Sequence, residues 1–175
     1  MAANNDEALT SKVKVICSKL LDIAMNLSID VKIRNSYIDW LICKTDLVKN
    51  EKTFDSTQLP NYRRGELIFL DLGFNVGEEY GGKHYAIVLR DSRNNHGKLL
   101  VLPITSQEPK SKHLPIYVDI GPISGLAKNK YHWANILNIT NVSKQRIIAH
   151  RKPLRVNDRI LNRLSGAIVN QIALR

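Results

Sequence analysis

Apolar residues at helical spacing occupy the first part of the chain. Every third or fourth position is apolar between residues 9 and 27, and this places one set of side chains on one face of a helix: Leu9, Val13, Ile16, Leu20, Ile23 and Leu27. A second helical face follows, formed by Ile33, Tyr37, Trp40, Leu41 and Val48. The polar run after it is typical of a tether. The pattern predicts a helical hairpin over residues 1–48 and a linker over 49–62.

The hydrophobic period changes after residue 62. Short runs rich in Ile, Leu and Val alternate with turn-forming segments, which predicts strands over 66–72, 84–90, 98–104, 114–120, 133–141 and 146–149. Asn157 is placed to cap a final helix, whose apolar residues are Ile160, Leu161, Leu164, Ile168 and Ile172. Short strands and one closing helix favour an α+β domain over 63–175, a small and strongly bent barrel or half-barrel.

The positive charge is confined to this second part. The chain has a net charge of +10, and residues 1–60 hold eight basic and eight acidic residues, so the whole excess lies in 61–175. Such a surplus favours a polyanionic partner, most commonly nucleic acid, although a merely soluble basic surface is the alternative. No apolar run approaches the roughly 20 residues that span a bilayer, and no signal-peptide pattern is present. We therefore expect a cytoplasmic protein without a membrane segment.

A glycine-punctuated loop joins the first two predicted strands. Four glycines between residues 73 and 82 allow backbone conformations closed to other residues, so charged side chains can converge over one spot. His84 follows this loop, and its imidazole can take or give a proton near neutral pH. Glu79 is close enough in sequence to orient it. A histidine at a strand start is more often structural, so both interpretations stay open.

Two later segments offer groups suited to phosphate. Thr105, Ser106 and Gln107 end a predicted strand with two hydroxyls and an amide, which is also ordinary turn chemistry. Lys144 and Arg146 lie in a polar segment that either binds backbone phosphates or is a solvated turn. Other basic residues extend the surface: Lys110, Lys112 and His113.

Several other chemistries leave no pattern in the chain. The five histidines and two cysteines show no metal-ligand spacing. A phosphate-binding Walker loop, a GxGxxG turn after a strand and a GxSxG nucleophile turn are also missing from the sequence. We therefore expect a mechanism that uses neither a metal nor a cofactor.

Taken in order, the candidate segments resemble the MazF/PemK toxins. The matching words are Arg64-Gly65-Glu66, Asp71-Leu72, Gly77-Glu78-Glu79, Gly81-Gly82-Lys83-His84, Pro103-Ile104-Thr105-Ser106-Gln107 and Ser143-Lys144-Gln145-Arg146. The resemblance covers about residues 62–175 and implies an SH3-like barrel that pairs into a homodimer. It also implies a metal-independent endoribonuclease that cleaves single-stranded RNA and is silenced by a cognate antitoxin. In the implied reaction, a ribose 2′-hydroxyl attacks the adjacent phosphate and leaves a 2′,3′-cyclic phosphate.

The resemblance also implies roles for individual residues. The implied catalytic residues are His84, Thr105 and Glu79, and the implied RNA-binding residues are Lys83, Arg64, Ser106, Gln107, Lys110, Lys112, Lys144 and Arg146. Two departures stand out, because the family's usual Arg-Pro pair is His84-Tyr85 here and its Ile-Arg-Thr is Ile139-Thr140-Asn141. The alternative is therefore a non-catalytic module that binds RNA or a protein. A DNA-binding regulator is a third option, but no recognition-helix arrangement is evident.

Overall fold

Two compact units make up the chain, the first ending at Glu51 and the second beginning at Lys52. The computed structural model describes residues 2–126 and 130–172, without the side chains of 2–5 and 149–153. The last three residues of the domain predicted over 63–175 lie outside this description.

The first unit is a pair of helices, α1 (Ala2–Met25) and α2 (Val31–Lys49). Asp30 caps α2 by accepting a hydrogen bond from the Lys32 backbone N–H at 2.7 Å. Trp40 is buried, but many apolar side chains of the pair are half or more exposed: Leu9, Ile16, Leu21, Met25, Leu27, Val31, Ile33, Ile42 and Val48. The predicted N-terminal helices are therefore present. Among the described residues, no helix combines the length and apolar character needed to cross a membrane.

The second unit is an antiparallel sheet followed by one helix. Its strands are β1 (Glu66–Asp71), β2 (Lys83–Val88), β3 (Lys98–Thr105), β4 (Tyr117–Pro122), β5 (Tyr131–Asn135), β6 (Thr140–Ser143) and β7 (Ile147–Arg155), and the helix is α3 (Asp158–Gln171). The strand order is β4-β5-β3-β2-β1-β7, and β6 pairs with β3 outside this path. The predicted α+β class with a closing helix is confirmed.

Strand β3 has two partners along one edge. Its first half pairs with β6, from Lys98 opposite Ser143 to Val101 opposite Thr140. Its last two residues pair with β5, where Thr105 lies opposite Trp133. One edge of β3 thus changes its partner from β6 to β5 along the strand. Thr105 lies at the end that pairs with β5.

Two strand predictions are wrong in their bounds. The strand predicted over 133–141 is interrupted by a 3₁₀ turn at Ile136–Asn138, which Asn135 caps by accepting from the Leu137 backbone N–H at 3.0 Å. The strand predicted over 146–149 continues as β7 to Arg155, because it pairs with β1 on both sides of a register shift. Local apolar patterning cannot reveal either the interruption or the distant partner.

Each face of the sheet is covered by its own apolar cluster. On one face, Leu161 and Leu164 of α3 pack against strand residues such as Ile87 and Leu102. The predicted cap of this helix is present, since the Asn157 side chain accepts from the Ile160 backbone N–H at 2.9 Å. On the other face, the buried ring of Tyr62 belongs to a cluster with residues of β1, β2 and β3. The end of the predicted linker therefore lies on this core.

Candidate active site

A cavity of about 490 Å³ lies where β2 begins and β3 ends. Its wall includes polar and charged residues from both strands and from β5 and the segment before it: Lys83, His84, Thr105, Ser106, Lys130 and His132. Apolar and aromatic lining comes from Phe69, Tyr85, Ile104 and Leu126. Three separate segments thus bring basic groups, hydroxyls and an imidazole to one cavity.

Strand register explains why His84 and Thr105 meet. In the β2–β3 ladder, Ala86 lies opposite Pro103, and continuing that register by two residues brings His84 opposite Thr105. Opposite residues on antiparallel strands share a face of the sheet. His84 and Thr105, two of the residues expected to be catalytic, therefore lie at one cavity.

Tyr80 contacts His84, and the sequence interpretation missed it. Its hydroxyl oxygen lies 3.2 Å from His84 Nδ1, and the two rings are tilted with centroids 4.5 Å apart. Burial raises the pKa of Tyr80, while a hydrogen bond with the Thr105 side chain acts in the opposite direction. The one available signal was an aromatic hydroxyl inside the loop, four residues before His84.

The glycine loop holds Tyr80 in place through its backbone. The two ends of the loop pair like strands, because the Gly82 N–H donates to the Gly73 carbonyl at 2.7 Å and the Leu72 N–H donates to the Gly82 carbonyl at 2.8 Å. A Cβ on Gly81 would lie 2.7 Å from the Gly73 oxygen, so no other residue fits without a shift. The Asn75 side chain then donates to the Tyr80 carbonyl at 2.7 Å.

Thr105 closes the strand with a side-chain turn. Its hydroxyl oxygen accepts from the Gln107 backbone N–H at 3.0 Å, which turns the chain away from the sheet. Ser106 and Gln107 are consequently exposed, and Ser106 lines the cavity. Of this predicted phosphate-binding segment, Thr105 and Ser106 reach the cavity.

Glu79 lies in a different place from the one expected. It lines a second cavity of about 590 Å³, shared with Tyr80, Thr140, Asn141 and Arg146. Its carboxylate accepts a long hydrogen bond of 3.4 Å from the Val76 backbone N–H. The structure therefore does not bring Glu79 to the cavity of His84 and Thr105.

Lys144 is not on the basic surface that the sequence analysis assigned to it. Only 1% of this residue is exposed, and its ammonium donates to the Arg93 carbonyl at 2.6 Å and lies 5.5 Å from the centre of the Tyr62 ring. Burial lowers the pKa of the amine. The expected RNA contact of Lys144 is therefore wrong, because a side chain enclosed in the core cannot reach a phosphate.

The other predicted RNA-binding residues are spread over the unit. Arg64 donates to the Ser165 hydroxyl on α3 at 2.8 Å, and Lys112 pairs with Glu108 at 2.6 Å, which raises the pKa of Lys112. Lys110 is exposed in the same loop as Lys112. Arg146 lines the second cavity and donates to the Asp71 and Leu72 carbonyls at 3.3 and 3.0 Å, where it holds the start of the glycine loop.

Several other lining residues had no role assigned from the sequence. Tyr85 stacks on Phe69 of β1, with ring centroids 4.9 Å apart. His132 is buried and its Nδ1 lies 3.3 Å from the Gly121 carbonyl; since a carbonyl only accepts, Nδ1 carries the proton.

Among the described residues, no group of three or more histidine, cysteine or carboxylate side chains could hold a metal ion.

Comparisons with known proteins identify the second unit. Residues 63–172 match the model of a family described as PemK-like, MazF-like toxins of type II toxin–antitoxin systems. The comparison with curated proteins found no match. Of the solved structures, MazF from Deinococcus radiodurans has 17% identity and a TM-score of 0.51, over 65% of this chain and 97% of that chain.

Two further structures are similar over 65% of this chain and 97% of theirs. One is an endoribonuclease in complex with its cognate antitoxin from a mycobacterial species, with 19% identity and a TM-score of 0.47. The other is a MazE–MazF structure from Deinococcus radiodurans, with 18% identity and a TM-score of 0.47. Since the family model covers well over half of the chain, the protein belongs to the PemK-like, MazF-like toxin family of type II toxin–antitoxin systems.

Proposed function

We propose that the second unit is a toxin endoribonuclease that cleaves single-stranded RNA without a metal ion. The observation that carries this proposal is the convergence of Lys83, His84, Thr105 and Ser106 on one cavity. Phosphoryl transfer from a 2′-hydroxyl needs a group that moves a proton and donors that face the developing charge. Membership of the toxin family supports the same reaction class.

The proposed reaction is an intramolecular displacement at phosphorus. The ribose 2′-oxygen bonds to phosphorus while the bond from phosphorus to the 5′-oxygen breaks, giving a 2′,3′-cyclic phosphate and a 5′-hydroxyl end. His84 exchanges a proton in this step. The Thr105 and Ser106 hydroxyls and the Lys83 ammonium hold the phosphoryl oxygens, whose charge rises in the transition state. Glu79 has no part in this group, because it lines the other cavity.

The surroundings of the cavity suit a single-stranded polyanion. Lys83 and Lys130 are both exposed at its wall, and the segment after residue 60 carries the whole excess of positive charge. Tyr85, which is 36% exposed, offers an aromatic face beside the residues proposed to bind phosphate, and bases of any sequence can stack on such a face. We also propose a cytoplasmic homodimer that a cognate antitoxin silences; two similar structures contain toxin–antitoxin complexes.

Cleavage of end-labelled single-stranded RNA in EDTA tests the reaction. The protein is refolded from denaturant to remove any co-purified antitoxin. We expect fragments with 5′-hydroxyl and 2′,3′-cyclic phosphate ends, and a loss of about 100-fold or more in rate for His84→Ala. The matched control is His96→Ala, since His96 is exposed in a turn outside the cavity. Intact RNA under conditions where the wild type binds it would refute the proposal.

A non-catalytic module is the second candidate. His84 occupies the position where the family usually has arginine, and a titrating imidazole does not replace a permanent guanidinium charge. If the refolded protein binds RNA or a partner protein but leaves RNA intact, this candidate is the correct one.

A further inference from the structure

Each nitrogen of the His84 ring has a different environment. Nδ1 lies against the Tyr80 hydroxyl at 3.2 Å, on the side of the second cavity that Tyr80 lines. Nε2 lies near Gly82, where an added Cβ would come within 3.9 Å of it. Among the described residues, Nε2 has no hydrogen-bond partner, and His84 lines the cavity of Thr105 and Ser106.

The direction of the hydrogen bonds follows from the donors. The Gln107 N–H can only donate, and it donates to the Thr105 oxygen. The Thr105 proton therefore points away from Gln107, and the Thr105 side chain acts against the effect of burial on the pKa of Tyr80. The Tyr80 proton is in turn available for Nδ1. A neutral His84 ring that accepts at Nδ1 carries its proton on Nε2.

We propose that Tyr80 is a positioning residue that occupies Nδ1 of His84, so that His84 serves as a proton donor through Nε2. This inference rests on the proposed function for its consequence, but the hydrogen bond can be tested without RNA. When the ring is protonated, the Tyr80 hydroxyl accepts from Nδ1–H, since a hydroxyl both donates and accepts. Before the transfer, Nε2 therefore bears a proton in both charge states.

The donor role fixes one half of the reaction. As the 2′-oxygen bonds to phosphorus and the bond to the 5′-oxygen breaks, the Nε2 proton of the imidazolium passes to the 5′-oxygen. The neutral ring left by this transfer carries its proton on Nδ1, against the Tyr80 oxygen, and exchange with water returns the proton to Nε2 for the next cycle. The 2′-hydroxyl proton leaves to water. Among the described residues that line the cavity, the titratable groups besides His84 are Lys83, Tyr85, Lys130 and His132, with no carboxylate. The Tyr80 hydroxyl therefore does the orienting that a carboxylate often does.

Nitrogen-15 NMR of the histidine rings tests the hydrogen bond directly. For neutral His84 in the wild type, we expect the proton on Nε2 and Nδ1 accepting a hydrogen bond. In Tyr80→Phe the ring contact remains but the donor is lost, so both tautomers become populated. Tyr85→Phe, the adjacent residue in β2, is the matched control and leaves the tautomer unchanged. A wild-type proton on Nδ1, or equal tautomer populations in the wild type and Tyr80→Phe, overturns the proposal.

A modified substrate tests the donor role. RNA with sulfur in place of the 5′-bridging oxygen has a leaving group that needs no proton, since a thiol is far more acidic than an alcohol. We expect His84→Ala to cleave normal RNA about 100-fold or more slowly than the wild type, but the sulfur substrate within about tenfold of it. Tyr80→Phe lowers kcat on normal RNA about tenfold with KM unchanged. Equal losses on both substrates overturn the donor role, whereas the tautomer result stands or falls independently of cleavage.

Discussion

Replacing Lys144 distinguishes a core lysine from an RNA-binding one. Lys144→Met and Lys144→Ala both remove the ammonium, its hydrogen bond to the Arg93 carbonyl and its contact with the Tyr62 ring. The two variants differ in the apolar part of the side chain, where alanine has about three heavy atoms fewer than methionine. At about 0.8 kcal/mol for each buried methylene, we expect Lys144→Ala to be less stable than Lys144→Met by about 2.4 kcal/mol. Urea unfolding measures both.

RNA binding by the same variants completes the test. The ligand is single-stranded RNA with 2′-O-methyl ribose, which cannot be cleaved by 2′-oxygen attack, and fluorescence anisotropy is followed as a function of salt. Each phosphate contact contributes about 0.7 to the slope of log affinity against log salt for a single strand. We expect Lys144→Met to leave this slope unchanged and Lys83→Met, at the cavity wall, to reduce it by about 0.7. A reduced slope for Lys144→Met without loss of stability would refute the buried role.

Three further expectations follow from the same contacts. Gly81→Ala places its Cβ 2.7 Å from the Gly73 oxygen, so we expect the free energy of unfolding in urea to fall by about 1–3 kcal/mol and RNA cleavage to be lost. Gly97→Ala is the control: its Cβ meets nothing within 4 Å, and stability should change by less than about 0.5 kcal/mol. A chain lacking residues 1–51 should keep a cooperative thermal transition, because the second unit has its own two apolar clusters, and a broad non-cooperative melt would contradict this. Burial lowers the pKa of Lys144 below its ordinary 10.5, so at a pH between the folded-state and unfolded-state pKa values the unfolded state binds more protons. The stability of the wild type relative to Lys144→Met should therefore rise with pH in that range. A stability difference that does not change with pH would contradict the burial of the charge.

Part of the candidate site could be predicted from the sequence, because reactive side chains occur there at the ends of predicted strands. His84 follows the glycine loop and Thr105 ends a strand, so their meeting follows from two adjacent antiparallel strands in register. Tyr80 carried no comparable signal, because a tyrosine in a loop is as often exposed as buried, and its position depends on the Asn75 and Gly73 contacts across the loop. Glu79 was expected beside His84 because the two are close in sequence, but the loop turns its side chain to the other cavity.

Lys144 shows a different reason why sequence reasoning fails. A lysine in a polar segment is normally solvated, and its burial here depends on a carbonyl 51 residues away. Periodicity also merged β5 and β6 into one strand, because the 3₁₀ turn between them contains apolar Ile136 and Leu137 and leaves no gap in the pattern. A contact distant in sequence is present in both cases, since the Ile136 backbone N–H in this turn donates to the Ile116 carbonyl at 3.0 Å. Such contacts leave no trace in composition or spacing.

The double pairing of β3 has a consequence for the order in which the site is built during synthesis. His84 and Thr105 have both been translated well before the strands that hold the far edge of β3, since β5 begins at Tyr131 and β6 at Thr140. A ribosome-bound chain that has emerged only as far as β4 has no partner for that edge and lacks Lys130 and His132 of the cavity wall. The cavity around the residues proposed for catalysis is therefore complete only when nearly the whole unit has left the ribosome, so incomplete translation products of this toxin lack an assembled site.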